Sequence, residues 1–183
     1  MRTDPEISEV VNGERGMVRG ISTCLEQQCL VSAVTLIYSA IDSLAALARP
    51  VGQADTTKTE FLSWVDQFLL PSTGLACTAK DIYGARCGVL HTYSPDSATR
   101  RKGAAKALVY YWRSGPAADA EVPLPKDTIV IAIEDLFSAF KNAVDKFFKE
   151  ISSDDNLWQR VEYNRKELLC YKPFEVVTIH VAT

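Results

Sequence analysis

The segment 22–49 constrains the fold most strongly, because it keeps a helical pattern over more residues than any other part of the chain. Its apolar residues recur at steps of three and four, which places them on one side of an α-helix. Small residues among them, alanines and serines, allow neighbouring helices to approach closely. Pro50 and Gly52 end the pattern. We therefore predict one long helix here, packed against other helices.

Further stretches with a helical pattern are 55–70, 76–93, 134–152 and 157–171. Residues 55–57 offer an N-cap for the first of these, with Glu60 in its first turn. Glu134 and Asp135 place acidic side chains at the positive, N-terminal end of the helix predicted over 134–152. Upstream, glycines interrupt the pattern of 6–19 and disfavour one continuous helix there. We expect a short helix or an ordered arm at that position.

Two stretches predict β-strands, because they are rich in β-branched and aromatic residues: 107–112 and 128–133. We expect them to pair as a β-hairpin at about 105–133, inserted between the helices predicted over 76–93 and 134–152. The hairpin would have a long loop at 114–125. A turn is expected at 94–97. The sum is one mainly α domain over 1–183, a bundle of about five helices with one inserted hairpin.

Composition excludes several classes of protein. The 183 residues carry a net charge of −3 with both signs mixed, whereas a general nucleic-acid coat would be strongly basic. The five cysteines include no CxxC pair and no zinc-ligand spacing, so we expect reduced core cysteines and no metal or cofactor. Residues 1–6 lack a hydrophobic signal region, and polar residues interrupt the long apolar helix. These features predict a cytoplasmic protein without a membrane span.

Most of the chemistry in the sequence lies in the stretch 81–93, which carries Arg86 and, five positions later, His91. On an ideal helix five residues rotate by roughly 140°, so the two side chains leave on different faces. Gly84 and Gly88 clear the face of His91 for a ligand or another backbone. A structural interpretation is equally open: His91 as a favourable charge at a helix C-terminus, and Arg86 as the partner of a buried carboxylate. Asp42 lies either on an exposed polar stripe of its helix or opposite Arg86.

The stretch from Arg86 to His91 resembles the Arg-x4-His signature of the HEPN superfamily. The order of helices over 22–171 is also similar to that family. The resemblance implies a helical bundle in which arginine and histidine face a cleft formed between two protomers. Cys87 departs from it, because many active members carry a polar residue, often asparagine, directly after the arginine. Tyr93 matches the Arg-x4-His-x-Tyr form of HEPN toxins paired with minimal nucleotidyltransferase antitoxins, in which the tyrosine is adenylylated.

The resemblance implies a metal-independent endoribonuclease in a defence or toxin–antitoxin context, with RNA as substrate, a homodimer as the active form and an antitoxin as a further partner. His91 would transfer protons and Arg86 would stabilise the developing charge on phosphorus, with Asp42, Cys87 and Tyr93 in support. The basic cluster Arg100, Arg101 and Lys102 would hold the RNA backbone, or is simply a solvated loop.

Two alternatives remain at this point. One is a catalytically inactive HEPN domain that binds a nucleotide or a partner, as Cys87 and the modest acidic charge suggest. The other is a helical interaction module in which Arg86 and His91 are structural. The sequence contains no GxSxG elbow, P-loop or dinucleotide-binding fingerprint, which disfavours the corresponding enzyme classes.

Overall fold

A computed structural model describes residues 4–71, 73–92, 94, 98–113, 124 and 127–168. It is mainly helical, as predicted. Its helices are α1 (Pro5–Asn12), α2 (Met17–Glu26), α3 (Leu30–Ala48), α4 (Lys58–Trp64), α5 (Ala79–Thr92), α6 (Ala98–Arg101), α7 (Ile133–Ser153) and α8 (Asp155–Asn164). A π-helical turn, Val65–Leu69, continues α4, and a 3-10 turn, Arg165–Glu167, follows α8. The strands are β1 (Ala107–Tyr111) and β2 (Thr128–Ala132).

The long helix expected over 22–49 is broken, and the prediction of one continuous helix is wrong. Gln28 lies between α2 and α3 with φ of 59°, in the left-handed region that ends α-helical geometry. The N–H of Cys29 instead donates to the carbonyl of Cys24 at 2.7 Å. Because α2 packs against α3 and both turn their apolar sides to the same core, the periodicity continues across the break.

The core is built around α3, which contacts α2, α4, α5, α7 and α8. Ile37, Ile41 and Leu44 are fully buried on it. Aromatic rings fill the space between α4 and α7, with Trp64 and Phe147 packed edge to face at a centroid distance of 6.0 Å. Each such buried side chain contributes on the order of 1.5–3 kcal/mol relative to exposure. This packing holds α3 rigidly beside α5.

Within the described residues, α3 is long and apolar enough to cross a membrane by length and composition alone. Half of that stretch is buried inside the fold. The central helix of a globular bundle has the same properties, so α3 is weak support for a membrane span.

The two strands pair, but in parallel, with Ala107 opposite Thr128 and Tyr111 opposite Ala132. The predicted inserted hairpin is therefore wrong, because hairpin strands are antiparallel. A parallel pair needs a crossover of about a dozen residues or more, and the chain between the strands, 112–127, has that length. The composition of a strand carries no information about its direction, which explains the error.

The cysteines are less buried than expected. Cys24, Cys77 and Cys87 are half-buried and Cys29 is exposed, and all four are free thiols. The prediction of core cysteines is wrong for Cys29, which is exposed, whereas Cys77 packs against the core from its edge. Cys170 lies outside the described residues. The predicted turn at 94–97 and loop at 114–125 also lie outside them, apart from Ser94 and Leu124.

The last helix ends earlier than predicted, at Asn164, where a buried amide connects it to α3. The Asn164 Nδ2 donates to the carbonyls of Leu47 and Arg49, at 3.2 and 2.9 Å. These carbonyls belong to the C-terminal end of α3, where the helix supplies no partners of its own. The nearly buried Arg49 side chain adds a bond to Gln53 O at 2.8 Å and an ion pair with Glu167. The C-terminus of α3 is thus fixed to α8.

We expect Asn164→Ala to lower the free energy of unfolding by about 1–3 kcal/mol, because it leaves buried carbonyls without a donor. Asn156→Ala is the matched control, since Asn156 is an exposed residue of the same helix and should change stability by less than about 0.5 kcal/mol. Chemical denaturation of both variants measures the difference. Equal stability of the two would contradict the capping role of Asn164.

Candidate active site

The structure brings Arg86 of α5 against Asp42 of α3. The Arg86 Nε donates to Asp42 Oδ2 at 2.7 Å, and a terminal guanidinium nitrogen lies 2.7 Å from the same oxygen. Both side chains are about one quarter exposed, at 24% and 26%. Asp42 therefore faces the inner arginine and does not belong to a solvated stripe. Its second oxygen, Oδ1, has no hydrogen-bond partner among the described residues.

Burial raises the pKa of Asp42 above its ordinary value of 3.8, and it outweighs the opposing effects of Arg86 and then of His91. His91 itself is exposed in the last turn of α5 and makes no hydrogen bond with the described residues. Asp42 and Arg86 are therefore paired, with His91 five residues further along α5. A carboxylate perturbed in this way is typical of functional sites.

The position of α5 is fixed at its other end by Asp81. One oxygen of this nearly buried carboxylate accepts from the Thr78 N–H and hydroxyl, at 2.9 and 2.7 Å. The other accepts from the Lys106 N–H at 2.6 Å. Burial alone would raise the pKa of Asp81, but the Lys106 and Thr78 donors hold it below its ordinary value. These bonds connect α5 to the segment leading into β1 and set the direction in which Arg86 points.

Cys87 lies beside the ion pair. Its thiol interacts electrostatically with the Tyr83 hydroxyl, one turn earlier on α5, and with the Arg86 guanidinium. Burial, then the neighbouring Cys87, raises the pKa of Tyr83.

An open pocket of about 330 Å³ adjoins the ion pair, between α3, α4 and α5. Its lining includes Asp42, Arg86, Tyr83, Phe61 and Lys58. The Lys58 ammonium lies 5.0 Å from the centroid of the Tyr83 ring, and the Phe61 ring meets that ring edge to face. Lys58 and Tyr83 were not predicted as site residues. Lys58 lies in the first turn of α4, where no periodicity distinguishes it from other surface lysines.

The basic cluster Arg100, Arg101 and Lys102 does not lie at the pocket beside Arg86. Arg100 and Arg101 line a separate open depression with Asp81 and Lys106, and that depression shares no lining residue with the pocket beside Arg86. Lys102 is exposed and lines neither of these two. The structure therefore does not bring the cluster into the pocket. Tyr93 lies outside the described residues.

A search of the described residues finds no group of three or more His, Cys, Asp and Glu side chains that would hold a metal ion. Asp42, Arg86 and His91 offer one carboxylate, one guanidinium and one imidazole, a set suited to proton transfer and anion stabilisation.

No protein-family model matches the sequence, and neither curated proteins nor solved structures give a significant match. The resemblance to HEPN domains therefore rests on the residues from Arg86 to His91 and on the order of helices.

The pair is expected to contribute little to stability. We expect Asp42→Asn to change the free energy of unfolding by less than about 1 kcal/mol at neutral pH, because desolvation of the carboxylate offsets its attraction to Arg86. A loss of several kcal/mol would instead make Asp42 a structural residue.

The same variant tests the sign of the pKa shift. A carboxyl group whose pKa is raised on folding binds its proton more tightly in the folded state, so its stabilising contribution is largest below pH 3.8 and declines as the pH rises through the folded-state pKa. The stability of wild type relative to Asp42→Asn should therefore fall as the pH rises above about 4. Denaturant titrations at several pH values measure this difference, and a rise with pH would contradict the shift.

Proposed function

We propose that this chain is a metal-independent endoribonuclease of the HEPN kind. The observation that supports this most directly is the Asp42–Arg86 ion pair beside an open pocket, with His91 in the last turn of the helix that carries Arg86. The site joins a fixed cation, an exposed imidazole with no bond to the described residues, and a carboxylate that orients the cation. A purely structural arginine would more commonly be closed off from solvent than placed at the rim of a pocket.

The proposed reaction begins when His91 accepts the proton of a ribose 2′-OH. The 2′-oxygen then attacks the adjacent phosphorus, and the P–O bond to the 5′-oxygen breaks. Arg86 stabilises the additional negative charge on the phosphoryl oxygens, and Asp42 keeps the guanidinium in one orientation. A proton returns to the 5′-oxygen, so the products are a 2′,3′-cyclic phosphate and a 5′-hydroxyl end. Because the nucleophile is the 2′-OH, DNA is not a substrate.

The proposal includes a homodimer, in which a second copy brings its own Arg86 and His91 to the same cleft. One histidine would then accept the 2′-OH proton and the other would protonate the leaving oxygen. A cytoplasmic location and an antitoxin partner that modifies Tyr93 belong to the same proposal.

The proposal is tested with an RNA of mixed sequence, incubated in EDTA, and with matched strands that carry one 2′-deoxynucleotide at each mapped cleavage position. We expect cleavage to cyclic phosphate ends, abolished only at the bond that follows the deoxynucleotide. Cleavage that continues there, or that stops in EDTA, would reject the mechanism.

One observation favours a second candidate, an inactive domain that binds RNA without cutting it. Two guanidinium nitrogens of Arg86 are already directed at Asp42. RNA binding without cleavage, at concentrations where the protein is dimeric, would support this candidate. Absence of both RNA binding and RNA cleavage would favour a helical interaction module.

A further inference from the structure

The pocket beside Arg86 has a specific balance of charge. Of its ionisable lining residues, Asp42 and Arg86 neutralise each other at 2.7 Å. Lys58 is exposed at the rim and makes no ion pair with any described residue. Among the described ionisable residues that line the pocket, Lys58 is therefore the cation without an acidic partner, and it comes from α4 rather than from the basic cluster at Arg100.

The Lys58 ammonium is held over the ring of Tyr83 at 5.0 Å, on the same side of the pocket as Arg86. A cation–π contact of an exposed lysine is a weak interaction. A phosphate group can therefore take the ammonium from the ring at small cost, whereas two of the guanidinium nitrogens of Arg86 are already bound to Asp42. Lys58 is the more available phosphate ligand of the two.

We infer that this pocket holds the nucleotide adjacent to the scissile phosphate, and that Lys58 binds the phosphate group of that nucleotide. The inference rests on the proposed nuclease function and adds a binding residue to it. The volume of about 330 Å³ lies at the lower end of the range of about 300–1,000 Å³ for ligand pockets, which suits one nucleotide unit rather than a long strand. The rest of the RNA would lie outside the pocket.

The test is fluorescence anisotropy with a labelled 2′-O-methyl RNA, which cannot be cleaved, alongside cleavage of the unmodified strand. Lys58→Gln should weaken binding about five- to tenfold at 0.1 M salt and lower the slope of log affinity against log salt by about 0.7, the value for one contact with single-stranded nucleic acid. Lys58→Arg should retain most of the affinity. The matched control is Lys80→Gln, since Lys80 is exposed on α5 and does not line the pocket.

The outcomes separate this inference from the nuclease proposal. If wild type cleaves RNA but Lys58→Gln behaves like Lys80→Gln, the inference is rejected and the nuclease proposal stands. If wild type binds without cleaving and only Lys58→Gln weakens binding, the pocket assignment stands and the nuclease proposal is rejected. If wild type neither binds nor cleaves, both are rejected.

Discussion

Substitution of His91 by alanine is expected to reduce RNA cleavage by about 10²- to 10⁴-fold, the usual contribution of a general acid or base. The substitution removes the one imidazole within electrostatic reach of the Asp42–Arg86 pair in the described part of the chain. It should leave the fold intact, because His91 is exposed and ends α5 rather than packing in the core. Single-turnover cleavage in EDTA, with end-group analysis, measures the loss.

The sequence supplies the matched control, since its second histidine is His180. His180→Ala should retain the cleavage rate of wild type. Circular dichroism and thermal unfolding of both variants separate a chemical effect from a folding defect. If a folded His91→Ala variant cleaves as fast as wild type, His91 has no part in the chemistry and the proposed mechanism is wrong.

The helices were largely predictable from sequence because their signals are local. The N-terminal cap of α4 forms as expected, with Thr57 and Glu60 in a reciprocal capping box. The acidic residues that open α7 also lie where predicted. The break at Gln28 was missed because neither glycine nor proline marks it, and its backbone conformation follows from the packing of α2 on α3. The direction of the strand pair was missed for a similar reason, since pairing depends on the path of the whole connection.

The candidate site was predictable only in part. The residue types of Arg86 and His91, and their spacing, are visible in the sequence, but the partner of Arg86 lies on another helix. Asp42 was compatible with two opposite environments until α3 and α5 were packed together. Lys58 joins the pocket from a third helix, and its contact with Tyr83 depends on how α4 packs against α5. Convergence of residues from three elements is a tertiary property that a local pattern does not contain.

Substitution of Arg86 by lysine is expected to reduce the cleavage rate about 10²- to 10³-fold although the charge is kept, comparable to the loss of one transition-state donor. A guanidinium can bind Asp42 and still direct planar donors at phosphoryl oxygens, whereas an ammonium is a single point of charge. The loss should appear in kcat more than in KM, because the stabilised charge develops only in the transition state. The matched control is Arg113→Lys, in an exposed Arg113–Asp135 pair of 2.6 Å, which should cleave normally.

A double-mutant cycle separates catalysis from stability at the same pair. Arg86→Gln alone should destabilise the fold, because it leaves the half-buried Asp42 carboxylate without its cation. Asp42→Asn combined with Arg86→Gln removes both charges and should recover most of that stability, with a coupling energy of at least about 0.5 kcal/mol. Cleavage should remain lost in both variants. If the double variant regained cleavage together with stability, the pair would act only as a structural element and Arg86 would have no chemical role.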